Sequence, residues 1–184
     1  MINVTKWMSW ESGIDLAACT SADLQMPNLI IHVARMVHTP AGNAASGMIL
    51  WQPNSLAVPE VFGFVSTDAE VGKYFGPNIF ADTPFEQAPV LNAQFTFTNT
   101  ATTAHVVIDT STHKFELTMG NFSLPYLIDR KPSAMPPFYQ QGVEMEAGKV
   151  EVKINGQAID IIMPPIGISG GPAATFSPNG TYAR

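Results

Sequence analysis

The sequence has 184 residues, of which 46% are hydrophobic and only 13% are charged, and its net charge is −6. Since charged residues normally make up about a quarter of a soluble domain, the chain must bury much apolar surface, around an internal cavity or at a subunit interface. The chain has no Lys/Arg cluster, which excludes a nucleic-acid binder. It has no run of 18 consecutive apolar residues, which excludes a membrane-spanning helix. Its single cysteine, Cys19, excludes an intrachain disulfide framework.

Residues 3–18 are predicted to form a short amphipathic helix. Trp7, Trp10 and Ile14 recur at i, i+3 and i+7, and the charged residues lie elsewhere on the helical wheel. Two interpretations stay open. The helix packs against the outside or end of a sheet, or residues 1–20 form a lid whose indoles close over the mouth of a ligand cavity.

The middle of the chain is predicted to be mostly β-strand. Period-2 alternation bounded by Gly, Pro and Asn turns predicts strands over residues 29–38, 47–52, 59–66, 90–98, 104–109, 113–122 and 138–146. One short helix is predicted over residues 68–75, because Thr67 and Glu70 have capping-box spacing and Gly76-Pro77 is a stop signal. The proline-rich residues 123–137 are predicted to be a crossing loop.

The clearest structural signal is the run KVEVKINGQAIDIIM, residues 149–163. Apolar residues alternate with charged ones up to Ile154, and the alternation resumes at Ile159. Between them, Asn155-Gly156 tolerates the positive φ angles of a type I′ turn. The run therefore predicts a β-hairpin. Residues 164–184 show no periodicity and are predicted to be an irregular C-terminal tail.

These elements predict one all-β domain over residues 1–184. Frequent turn signals favour an antiparallel sandwich or a closed barrel. The low charge favours closure, because a closed sheet has no edges that need protective charges. A barrel of eight strands is either filled by side chains or holds one small ligand.

Classical catalytic machinery is not visible in the sequence. The four histidines, His32, His38, His105 and His113, form no recognisable metal motif, so we predict ordinary strand histidines and no metal site. Cys19 is interpreted as a small buried hydrophobe. Glu144 and Glu146 are two residues apart on a predicted strand and are expected to share its solvent-facing side.

What remains is a set of aromatic and amide side chains suited to a mostly apolar cavity with a few hydrogen-bonding groups. The predicted ligand-binding residues are Trp7, Trp10, Trp51, Gln52, Tyr74, Gln94, Phe95, Tyr126, Tyr139 and Gln141.

The run FGFVSTDAEVGKYFGPNIFADTPFEQAPVL, residues 62–91, resembles a segment of the small bacterial [4+2] cyclases (Diels-Alderases) that close spirotetramate and spirotetronate polyketides. The resemblance covers about a sixth of the chain. It implies an eight-stranded antiparallel, lipocalin-like β-barrel with an N-terminal lid, a role in natural-product biosynthesis and no cofactor. It transfers no catalytic residue to this chain.

Such a cyclase needs no nucleophile, metal or strong base, because its task is to fold a polyene into a reactive conformer. One hydrogen bond from a Tyr or Gln would activate the dienophile. We therefore expect a cytoplasmic cyclase that binds a hydrophobic small molecule and contacts neither nucleic acid nor membrane. Two alternatives remain: a calycin-like carrier of a hydrophobic molecule, and a structural β-protein whose apolar surface forms an oligomer interface, in the simplest case a homodimer.

Overall fold

The computed structural model describes residues 6–53, 58–133 and 137–184, which are mostly β-structure. The strands are β1 (Trp7–Ala18), β2 (Leu29–Thr39), β3 (Gly42–Trp51), β4 (Val61–Ser66), β5 (Val90–Asn99), β6 (Thr103–Thr110), β7 (Lys114–Phe122), β8 (Tyr126–Arg130), β9 (Tyr139–Ile154), β10 (Gln157–Ile159) and β11 (Ala174–Ala183). The all-β class is thus confirmed.

One short helix, α1 (Ala69–Tyr74), follows β4 and continues into a π-helical turn, Phe75–Ile79. The helix begins at Asp68, whose carboxylate accepts hydrogen bonds from the backbone N–H groups of Glu70 and Val71. The predicted helix is confirmed, but its cap is Asp68 rather than Thr67.

The strands form one large sheet in the order β10-β9-β11-β1-β2-β3-β4-β5-β6-β7. Strand β9 also pairs with β7, so the hydrogen-bonded path returns to β9. This is possible because β9 is long: residues 139–146 pair with β11 and residues 147–154 pair with β7. Within the closed path the shortest pairing is β4–β5, which is parallel and has three residue pairs.

The predicted eight-stranded barrel is not confirmed. The described residues form eleven strands, and β8 and β10 branch from β9 outside a simple closed path. The sheet is therefore not a clean barrel.

The predicted N-terminal helix is wrong. Residues 7–18 form β1, which lies between β2 and β11 in the sheet. Ser12 has a φ of 53° and interrupts the alternation, and all residues from Gly13 to Ala18 are buried because both faces of the strand are covered. A strand of this kind has no period-2 signal. A lid over residues 1–20 is accordingly wrong for residues 7–18, and residues 1–5 lie outside the described part.

The predicted irregular tail is also wrong over its second half. Residues 174–183 form β11, which pairs with both β1 and β9. The register shifts between Phe176 and Asn179, around Pro178. This shift breaks the alternation of inward- and outward-facing residues in the middle of the strand, so the sequence shows no period-2 pattern there.

The predicted hairpin is confirmed at its turn. Asn155 and Gly156 have φ angles of 52° and 78°, as a type I′ turn requires. Its first strand is longer than predicted, because the strands predicted over residues 138–146 and 149–154 form one continuous strand, β9, from Tyr139 to Ile154. Its return strand, β10, is only three residues long.

Strands β1 to β4 are packed on both faces, and two buried clusters result. The first core lies between the two halves of the sheet and includes Leu16, Ile31, Ile49, Val65, Ile108, Phe115 and Leu117. The second core lies on the opposite face of β1–β4 and β11, where α1, the π-helical turn and Phe138 cover Trp10, Ala34, Met48, Phe64 and Tyr182. The first core fills the sheet interior, and the second surrounds the candidate site.

Candidate functional site

The second face of the sheet carries an unusual concentration of buried polar groups. Asp15 and Glu144 are only 7% and 2% exposed, and Gln140 and Thr175 are 2% exposed each. Charged side chains are almost never buried to this degree without partners. The partners therefore define the site.

A carboxylate, an imidazole and a phenol form a chain across three adjacent strands. Asp15 on β1 lies directly opposite His32 on β2, and their Oδ1 and Nδ1 atoms are 3.2 Å apart. On its other side, His32 Nε2 lies 3.3 Å from the hydroxyl of Tyr182 on β11. Ser169 donates a hydrogen bond to Asp15 Oδ2 at 2.8 Å and holds the carboxylate in place.

The contact between Asp15 and His32 is close but not linear. Asp15 Oδ1 and His32 Nδ1 are both buried, and neither has a well-aligned hydrogen bond within the described part of the chain. At 3.2 Å the attraction between the two groups is electrostatic rather than a geometrically good hydrogen bond.

This environment changes the acid–base behaviour of both ring side chains. Burial lowers the pKa of His32, but the carboxylates of Asp15 and Glu144 outweigh it, so the pKa lies above its usual 6.5. Burial raises the pKa of Tyr182 well above 10, and Asp15 and Glu144 add to the shift. Tyr182 thus keeps its proton at neutral pH, and His32 holds its second proton over a wider pH range than a free imidazole.

A second polar cluster adjoins this chain. Arg130 on β8 makes two hydrogen bonds to Glu144, at 2.7 and 2.6 Å, and a third to Gln140 at 3.1 Å. The hydroxyl of Tyr126 donates to Glu144 at 3.3 Å. Partial burial, together with Glu144, raises the pKa of Tyr126 to about 12. The Glu144 charge is therefore balanced by a bidentate arginine.

Aromatic rings enclose the phenol of Tyr182. Its ring centroid lies 4.7 Å from that of Trp10 and 4.2 Å from that of Phe138, and Phe138 in turn contacts Phe80 at 6.1 Å. These distances are typical of packed aromatic pairs. Tyr182 is therefore held rigidly, with its hydroxyl at the border between polar and apolar groups.

Two small cavities meet at this point. A cavity of about 40 Å³ is bordered by Phe75 of the π-helical turn and is lined by Asp15, His32, Met48, Phe64, Glu144 and Tyr182, among others. A second, of about 30 Å³, lies between Phe80, Phe85, Phe138 and Ile168. His32, Phe80 and Tyr182 line both. At this volume the first cavity holds a few water molecules and not a large ligand.

Only one predicted ligand-binding residue lies in the main cavity. Trp10 is 7% exposed, lines the 40 Å³ cavity and donates from Nε1 to Ser177 Oγ at 2.9 Å. Tyr126 contacts the site through Glu144.

The structure does not bring the other predicted residues together. Trp51 and Phe95 belong to the first core. Trp7 is 39% exposed, and its backbone N–H donates to the hydroxyl of Tyr74. Gln94 and Gln141 are exposed, and Gln52 and Tyr139 are half-buried elsewhere on the sheet.

Sequence reasoning missed Asp15, His32, Glu144 and Tyr182. Asp15 was assigned to a helix and Tyr182 to an irregular tail, so neither could be placed beside His32. Glu144 was expected on the solvent-facing side with Glu146, which is wrong for Glu144. Its partner Arg130 comes from β8, in a segment predicted to be loop. The signal that could have found the site is Asp15 within an otherwise apolar run, IDLAA.

Within the described residues, no three His, Cys, Asp or Glu side chains are grouped as metal ligands. None of the helices in this part of the chain is long and apolar enough to cross a membrane. No protein-family model, curated protein or solved structure matches the chain.

Proposed function

We propose that the protein is an enzyme that binds a small, largely apolar molecule in the second core and activates one of its oxygen atoms by a hydrogen bond from Tyr182. One observation carries the proposal: the Asp15–His32–Tyr182 chain ends on a phenol inside an aromatic cavity. Apolar pockets with a few convergent polar groups and shifted pKa values are the usual form of a small-molecule site.

The chemistry follows from the protonation states. When His32 carries both ring protons, Nε2–H donates to the Tyr182 oxygen, and the Tyr182 proton is free to bond to a substrate oxygen. Hydrogen bonds in such a chain polarise one another. Asp15 balances the imidazolium charge. A carbonyl oxygen that gains negative charge during reaction would therefore be stabilised by a donor that is already in place. In this scheme Tyr182 is the catalytic residue, and His32 and Asp15 are positioning residues.

The [4+2] cyclisation implied by the sequence resemblance belongs to this class of chemistry and stays a prediction. It requires a donor to a dienophile carbonyl, a role that Tyr182 is suited to fill. The 40 Å³ cavity is much smaller than the roughly 300–1,000 Å³ of typical ligand pockets. A polyene would therefore have to displace part of the aromatic cover. Phe138, which packs on Tyr182, and Phe80, which packs on Phe138, both line the second cavity and are the candidates for this movement.

The proposal is tested with cyclohex-2-enone carrying a ¹³C label at the carbonyl carbon. A six-membered ring needs a cavity of roughly 150 Å³, so this probe must also displace part of the aromatic cover of the 40 Å³ cavity. A hydrogen bond from Tyr182 should move the carbonyl resonance downfield in the bound state. Tyr182→Phe should abolish this shift while the enone still binds. Tyr74→Phe is the matched control, because it removes a phenol hydroxyl that accepts a hydrogen bond from the Trp7 backbone N–H, outside the cavity.

The outcomes separate an enzyme from a carrier. Binding of the enone with the same carbonyl resonance in wild type and Tyr182→Phe would indicate a carrier that encloses its ligand without activating it. A wild-type protein that leaves the enone resonance unchanged at saturating concentration would contradict the site itself.

A further inference from the structure

Strand β5 has a long edge that faces no other strand in the described chain. It pairs with β4 over residues 90–92 only, and from Ala93 to Asn99 it pairs with β6 alone. Beyond Asn92 the side of β5 that faces away from β6 therefore lacks a neighbouring strand among the described residues.

The backbone groups on this edge can be assigned. In the turn between β5 and β6, the N–H of Thr100 donates to Thr103 O, so even-numbered residues of β5 bond to β6. Neighbouring residues in a strand direct their backbone groups to opposite sides. The N–H and C=O groups of Phe95 and Phe97 thus point to the free edge.

This edge lacks the features that usually prevent strand addition. Natural proteins protect edges with charges, prolines or very short strands. The two strands that branch from β9 follow this rule: β10 has three residues, and β8 has five and ends in Asp129-Arg130. In contrast, residues 90–104 contain no charged residue and no proline.

We propose that β5 pairs with β5 of a second copy of this chain, antiparallel across a two-fold axis at Thr96. In that register Phe95 of one copy lies opposite Phe97 of the other, which joins the backbone groups that point outward on both edges. Thr96 then faces Thr96, and Gln94 faces Thr98, all three being exposed in one chain. Threonine pairs stabilise neighbouring strands. The contact is self-complementary, as a two-fold dimer requires.

The test is the mass in solution of the full chain and two variants. Sedimentation velocity from about 1 to 100 µM covers the range expected for a small interface. We expect the wild type to approach twice the 19.8 kDa of one chain. Thr96→Lys should be monomeric, because the two lysines would face each other. Thr102→Lys, which puts the same charge in the exposed β5–β6 turn, should dimerise like the wild type. A monomeric wild type, or equal dimerisation of the two variants, would overturn the proposal.

Hydrogen exchange locates the contact and covers the case in which Thr96→Lys disturbs the fold. In the wild type, the Phe95 and Phe97 amides should exchange at least tenfold more slowly at the highest concentration than at the lowest. The amides of Thr96 and Thr98 bond to β6 in either state and should not respond. Exchange at Phe95 and Phe97 that is independent of concentration in a dimeric wild type would show that the dimer forms elsewhere.

Discussion

The two faces of strands β1–β4 are both buried, but they differ in chemistry. The first core is built from aliphatic and aromatic side chains such as Leu16, Ile31 and Phe115, all three of which are completely buried. The second face buries Asp15, Gln140 and Glu144 together with Tyr182. The sheet therefore packs an apolar core on one side, while on the other side β1, β2, β9 and β11 together contribute a buried polar and charged network.

This difference separates the side chains that stabilise the fold from those that form the candidate site. Apolar burial stabilises without directional requirements. A buried ion pair is weak evidence for stability, because well-packed apolar residues often replace it without loss. A network confined to the second face is thus not needed to fill space. Its position beside a cavity is better explained by a role in binding or chemistry.

The largest expected effect comes from the strand that contributes to both faces. Deleting residues 1–18 removes β1, which supplies Leu16 to the first core and Trp10 and Asp15 to the second. We expect an unfolded or insoluble product, because β2 and β11 lose their shared neighbour. Circular dichroism of the shortened chain checks this. A folded product that melts like the full chain would show that residues 7–18 are dispensable, as a lid would be.

The next effect distinguishes the faces from each other. Phe115→Ala should lower the free energy of unfolding by about 3–5 kcal/mol, since Phe115 is fully buried in the first core. The carbonyl resonance of bound cyclohex-2-enone should not change. Phe138→Ala should change that resonance, because Phe138 packs on Tyr182 at 4.2 Å. Urea unfolding and the ¹³C spectrum measure the two effects. A shifted resonance in Phe115→Ala would contradict the independence of the faces.

Much of the fold could be predicted from the sequence. Strands with one covered face, such as β5 to β7, keep the period-2 pattern, and the Asn155-Gly156 turn was recognisable from its residues. Strands β2 to β4 are covered on both faces and were still recognised, because turn residues bound their apolar runs. In β1 and β11 the alternation is broken inside the strand, at Ser12 with its φ of 53° and at the register shift around Pro178. This is why β1 was read as a helix and β11 as a tail. In both cases pairing with strands that are distant in the sequence determines the structure, and the local spacing of apolar residues does not indicate that pairing.

The site could not be predicted for the same reason. Asp15, His32 and Tyr182 are separated by 17 and 150 residues along the chain and meet only through the β11–β1–β2 order. Trp10 was predicted for its indole and does line the cavity, although on a strand rather than a helix. Gln94 and Gln141 were predicted for their amide groups but are exposed. Residue type alone therefore does not identify cavity residues unless the face of the strand on which they lie is known.

A smaller effect is expected from breaking the buried ion pair. Glu144→Ala leaves Arg130 without its carboxylate and should lower the free energy of unfolding by about 3 kcal/mol. This loss is at the low end of the range for broken buried ion pairs, because the Arg130 side chain is 21% exposed and retains some contact with water. Glu151→Ala is the control, since its pair with Lys149 is fully exposed and should contribute nothing measurable. Equal losses in the two variants would mean that burial does not distinguish the pairs.

The smallest expected effect is a pH dependence centred on His32. Because its pKa is raised in the folded state, folding is favoured by this proton. The stabilisation is full below pH 6.5, the ordinary value, and is lost as the pH rises through the folded-state pKa. Asp15→Asn removes the carboxylate that raises the pKa most, so burial should then lower it relative to wild type. NMR titration of the His32 ring in both proteins measures the change. An unchanged His32 pKa in Asp15→Asn would mean that the 3.2 Å contact does not couple the two groups, and Tyr182 would lose the charged partner on which its role depends.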